Sequence, residues 1–118
     1  MKSFLAAAVL LLASAAPGLA QFQGVAAADG DDSSDVVTVT RRTLSAAIAD
    51  ARNICREQHG GRACKAIGAR ENNSFVVILC PDDVVHMAAD STYDAALRVA
   101  RNNARSYGRR DCDVIYSD

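Results

Sequence analysis

Residues 46 to 64, AAIADARNICREQHGGRAC, return with changes as residues 95 to 112, AALRVARNNARSYGRRDC. A chain of 118 residues that writes one unit twice is expected to fold as two like pieces. Ala46, Ala47, Ala51, Arg52 and Arg56 recur as Ala95, Ala96, Ala100, Arg101 and Arg105, an offset of 49, whereas Gly60, Arg62 and Cys64 recur as Gly108, Arg110 and Cys112, an offset of 48. One residue is lost at the glycine turn. Each copy, about 44–67 and 93–115, reads as a helix, a glycine turn and a strand entered through a cysteine.

The helical reading rests on apolar and small residues spaced by three and four. Leu44, Ala47, Ile48, Ala51, Cys55 and Gln58 share one face, and Tyr93, Ala96, Leu97, Ala100, Ala104 and Tyr107 make a second apolar stripe. Thr43 or Ser45 caps the first helix and Ser91 or Thr92 the second, and glycines end both. DVVTVT (residues 35–40), ACKAIGA, SFVVILC and CDVIYS have the β-branched or alternating character of strands. VVHMA, residues 84–88, fits either a short strand or a linker. The predicted order is β-α-β-β-(β)-α-β. It implies an α+β fold, ferredoxin-like or similar, with a small antiparallel sheet of four or five strands and both helices on one face.

The first 20 residues have the form of a signal peptide. Lys2 precedes an apolar run from Phe4 to Ala16, and Gly18 and Ala20 are the small residues read by signal peptidase, so cleavage is predicted after Ala20. That run is too short for a membrane span, which needs about 20 apolar residues. The mature chain is expected to be secreted or periplasmic, without membrane insertion. Gln21 to Asp35 carries Asp29, Asp31, Asp32 and Asp35 among small and polar residues and reads as a flexible acidic tail. Residues 36–118 then form the single α+β domain.

Removing residues 1–20 leaves 98, few for a self-sufficient core. Cys55, Cys64, Cys80 and Cys112, an even number behind an export signal, predict two disulfides. A hairpin centred near Asn72 would set Cys64 opposite Cys80 and favours that pair, leaving Cys55 to Cys112. Cys55 with Cys64 and Cys80 with Cys112 is nearly as good. In a strict four-strand order Cys112 would stand at the opposite end of the sheet from the other three, so a second bond requires VVHMA to be a strand that reverses the chain.

The pattern A-x3-A-x3-C-x4-G-G-x2-C, formed by Ala47, Ala51, Cys55, Gly60, Gly61 and Cys64, resembles a family of small exported bacterial domains of unknown function. The second copy departs from it by having Ala104 in place of the helical cysteine. That resemblance implies export, disulfides and an α+β unit, and transfers no catalytic residue. The export signal and element order are also similar to the killer-toxin-like α/β sandwich effectors secreted by fungi. Eleven arginines against two lysines suit a GC-rich bacterial source, whereas Asn72-Asn73-Ser74 is an N-glycosylation acceptor only in a eukaryotic host.

The mature chain has 12 basic and 14 acidic groups, a net charge of −2, which excludes an electrostatic case for nucleic acid. His59 at a helix C-terminus and His86 on a strand are expected to be ordinary surface or capping histidines. A secreted ribonuclease would need a pair such as His86 with Glu57, Glu71 or His59, and an arginine such as Arg62 on the phosphate. With no Trp and three Tyr there is little to stack a base on. No zinc-ligand spacing, phosphate loop or serine elbow is present. No catalytic, cofactor or metal residue is therefore assigned, and an enzyme is not expected.

Arg98, Arg101 and Arg105, spaced by three and four, line one exposed face of the second helix, with Arg109 and Arg110 beyond. They are the candidate binding surface for an acidic protein or an anionic ligand. The expected function is an exported, disulfide-stabilised binding or structural module. The alternative is a secreted effector, toxin or inhibitor acting on a foreign protein, with a small hydrolase or ribonuclease after that.

Overall fold

The side-chain oxygen of Thr43 accepts the Ala46 N–H at 3.2 Å, and that of Thr92 accepts the Ala95 N–H at 3.1 Å, so each helix starts at a threonine cap. These helices are α1 (Leu44–Gln58) and α2 (Tyr93–Ser106). Each ends in a turn that needs positive φ, supplied by Gly60 (φ 63°) after α1 and Gly108 (φ 77°) after α2. The residues facing inward are Ala47, Ala51 and Cys55 in α1 and Ala96, Ala100 and Ala104 in α2. Such small side chains bring a helix close to whatever lies beneath it.

Beneath α1 lie β1 (Phe22–Ala27), β2 (Val37–Arg41) and β3 (Lys65–Arg70), paired antiparallel in the order β2-β1-β3. Beneath α2 lie β4 (Ser74–Leu79), β5 (Val85–Asp90) and β6 (Asp113–Ser117), in the order β5-β4-β6. Both units run strand-strand-helix-strand, and in both the first strand is central. This computed structural model describes residues 20–118. The predicted signal peptide lies outside the described residues except for Ala20.

Alternation along the central strands sets four layers. Ala26 and Ala28 face α1 with Ala51, Cys55 and Cys64, while Val76, Ile78 and Cys80 face α2 with Ala96, Ala100 and Ala104. Val25, Ala27, Phe75, Val77, Val85 and Met87 form the core between the two sheets. The layers therefore run helix, sheet, sheet, helix. β4 is buried on both faces, which explains its unbroken apolar run.

The α+β class, the two helices, the antiparallel pairing and the two disulfides are as the sequence predicts. The single sheet with both helices on one face is corrected to two three-stranded sheets with one helix outside each. The cause is residues 21–35, read as a flexible acidic tail. Phe22–Ala27 is instead the central strand of the first sheet, and Val25, Ala26 and Ala27 are fully buried. Small residues hid it because α1 presses on this strand. A Cβ on Gly24 would lie 2.0 Å from the Ala47 carbonyl oxygen.

A second correction concerns the cysteines. Cys55 is bonded to Cys64 and Cys80 to Cys112, rather than Cys64 to Cys80. The expected hairpin between β3 and β4 does not form, because β3 pairs with β1 while β4 pairs with β5 and β6. Leu79 is in register with Asp113, so the next residues outward, Cys80 and Cys112, meet. Of residues 84–88, open between strand and linker, all but Val84 belong to β5, and it is this strand that returns the chain.

Candidate functional site

At the C-terminal end of α2 the helix runs out beside the Cys80–Cys112 bond, and the turn that follows carries two further arginines. Arg101, Arg105, Arg109 and Arg110 line a groove of about 500 Å³ there, with Ala104, Asp111 and Cys112 as its remaining walls. Arg105 Nη1 donates to Asn102 Oδ1 at 3.1 Å. Arg109 is tied to Asp82 of the β4–β5 turn, Nε to Oδ2 at 2.8 Å, and this guanidinium holds the Asp82 carboxyl below the usual carboxylate range. Arg98, Arg101, Arg105 and Arg110 have no carboxylate within ion-pair distance among the described residues.

Of the three arginines singled out from the sequence, the groove gathers Arg101 and Arg105. Arg98 is exposed one turn earlier on the same helix and does not line it. Arg109 and Arg110 complete it from the turn.

Arg109 also borders a second depression of about 500 Å³, between β3 and β5 where the two sheets come together. Its floor is Ile67, Val85 and Met87, and its polar edge is Asp29, Lys65, His86 and Arg109. Tyr107, expected on the apolar stripe of α2, is instead the C-cap where the helix ends, so it leaves the stripe, stands at the rim of this depression and is 73% exposed. The His86 and Tyr107 rings are 5.9 Å apart, and the Arg109 guanidinium lies 5.6 Å from the Tyr107 ring centre. Lys65 Nζ donates to the Val85 carbonyl at 2.8 Å and pairs with Asp29 Oδ1 at 3.2 Å. Burial lowers the His86 pKa, and the neighbouring Lys65 and Arg109 cations lower it further against the opposing pull of Asp29 and Asp82. Sequence reasoning missed this group because its members lie on four separate segments.

His86 thus meets Arg109, and no hydrogen bond joins it to Glu57, Glu71 or His59 among the described residues. The general acid and base pairs considered for a ribonuclease are not assembled. Arg62 Nη2 donates to the Asp29 carbonyl at 3.3 Å, in the loop after β1.

His59, the C-cap of α1, turns inward. Its Nε2 lies 3.1 Å from Oδ1 of Asp31, within ion-pair distance but off the line of a hydrogen bond. Asp31 is 3% exposed, and its Oδ2 accepts the Ala28 N–H at 2.7 Å. This contact ties the β1–β2 loop to the end of α1, as Asp82 and Arg109 tie the β4–β5 turn to the end of α2. His59 also lies near Cys55 and Cys64, with ligand atoms within 4.8 Å of one another, but those sulfurs are bonded together.

No helix among the described residues is long and apolar enough to cross a membrane. Neither the curated proteins nor the solved structures gave a match. Residues 23–118, from β1 through β6, match the family described as "Domain of unknown function (DUF4189)", and the chain belongs to that family.

Proposed function

We propose that this protein is an exported, disulfide-stabilised binding module that engages an acidic partner through the groove of Arg101, Arg105 and Arg110. The observation that carries the reading is three convergent guanidinium groups without carboxylate partners among the described residues. Carbonyls at the end of α2 attract a cation in the last turn, which accounts for Arg105 alone. Arg101 lies before that turn and Arg110 beyond the helix, so neither is explained by it. Export is supported by the signal-like N-terminus and by two disulfides, bonds that persist in oxidising compartments.

The test replaces Arg101, Arg105 and Arg110 together with Gln and measures binding to poly-L-glutamate over a salt series. The expected outcome is binding by the parent protein that weakens with salt, and loss of both the binding and its salt dependence in the variant. Stability should change by no more than about 0.5 kcal/mol per exposed site. Equal binding by the variant, or its unfolding, would overturn the reading.

A further inference from the structure

The depression between β3 and β5 is chemically unlike the arginine groove and shares only Arg109 with it. Its floor is apolar and its polar groups converge at one edge, the composition expected of a small-molecule site rather than of a flat protein contact. Its two firm cations are held in place by neighbours that do not exhaust them. Asp82 accepts from Arg109 Nε, which fixes the plane of the guanidinium and leaves the terminal pair, Nη1 and Nη2, available as a fork. Lys65 uses two contacts, to the Val85 carbonyl and to Asp29, out of three possible N–H donors.

His86 stands beside that fork. Its Nε2 is 3.5 Å from Arg109 Nη1, and since a guanidinium can only donate, a hydrogen bond between them requires the neutral ring to carry its proton on Nδ1. The groups facing the imidazole are Lys65 on β3, Arg109 after α2, Asp29 in the β1–β2 loop and Asp82 in the β4–β5 turn. Tyr107 supplies an exposed aromatic wall, where an apolar body would cover both its ring and the floor.

We propose that this cleft binds a small organic carboxylate with an apolar body. The carboxylate takes the Arg109 fork and the His86 ring, and the body lies between Tyr107 and the accessible part of the floor, Ile67 and Met87. A carboxylate seated between Arg109 and His86 replaces their 3.5 Å contact and offsets the two cations that disfavour a charged imidazole, so binding draws a proton onto Nε2, which then donates to the carboxylate. Affinity therefore rises as pH falls through the His86 pKa of the complex and levels off below that of the free site.

The test follows both histidines of the intact, disulfide-bonded protein by NMR during pH titrations, alone and with benzoate, benzamide or acetate. Benzoate is expected to raise the His86 pKa by about half a unit or more and to leave His59 unmoved. Acetate should do so only at much higher concentration, and benzamide not at all. Arg109→Gln should abolish the benzoate shift. Tyr107→Ala alters an exposed side chain and keeps the fold, and it should weaken benzoate about tenfold while sparing acetate. The Arg101, Arg105 and Arg110 triple variant should still bind benzoate. A His86 pKa unmoved by benzoate, equal binding of benzamide, or a Tyr107→Ala variant that binds benzoate as the parent does would each overturn the proposal.

Discussion

Two glycines of the first sheet face α1, and they differ in what a methyl group would meet. At Gly24 it would strike the Ala47 carbonyl oxygen at 2.0 Å, helix backbone that cannot move without lifting α1 off β1. At Gly68 it would meet Ile48 Cγ1 at 2.7 Å and Leu44 Cδ1 at 2.9 Å, the outer atoms of side chains with other rotamers. Gly24→Ala is therefore expected to cost about 3 kcal/mol or more and Gly68→Ala about 1 kcal/mol, read as the difference in unfolding free energy in urea. Equal losses would show that α1 yields as easily as a side chain. The same intimacy limited what single residues disclose in the sequence. Arg101 and Arg105 were legible because helical spacing alone aligns them. Lys65, His86 and Tyr107 were not, because each belongs to a different element, and it takes the packing of α2 on its sheet and the meeting of the two sheets to make them neighbours.

At the scale of elements, the two disulfides close loops of different length, with sequence separations of 9 and 32. Chain entropy alone assigns about 2.6 kcal/mol to the shorter closure and about 3.7 kcal/mol to the longer. Replacing Cys80 and Cys112 by Ser should thus destabilise the protein by about 1 kcal/mol more than replacing Cys55 and Cys64, measured by denaturant unfolding of the two double variants. The reverse order would mean that packing around α1 outweighs loop closure. Both helices were legible from their spacing and caps. β1 was not, since FQGVAA has one β-branched residue and its small side chains answer to α1 rather than to strand propensity. β4 was recognised as a strand but given the wrong neighbour, because proximity in sequence suggested a hairpin where the chain passes from one sheet to the other.

Across the whole molecule, a cluster near the final residue links the two units. Gln23 of β1 donates to Asp118 Oδ2 at 2.7 Å, Tyr116 of β6 donates to the same oxygen at 3.0 Å, and the Phe75 N–H of β4 reaches Asp118 Oδ1 at 3.1 Å. Burial and then the bonded Asp118 carboxylate push the Tyr116 pKa up to about 12. A tyrosine whose folded pKa lies above its unfolded value stabilises the fold fully below the unfolded pKa and loses that contribution as pH rises through the folded one. The melting temperature should accordingly fall between about pH 10 and pH 12, and fall less in Tyr116→Phe, which has no phenol to ionise. Identical alkaline profiles would remove Tyr116 as the cause. This junction has a further consequence for chain connectivity. Among the described residues every strand pair and both disulfides lie within one unit, and the turn after β3 sits beside the start of β1, with the Glu71 N–H on the Gln21 carbonyl at 3.1 Å. A circular permutant opened between Asn73 and Ser74, with Asp118 joined to Gln21 by a short linker, would exchange the order of the two halves without breaking a single strand pairing or staple.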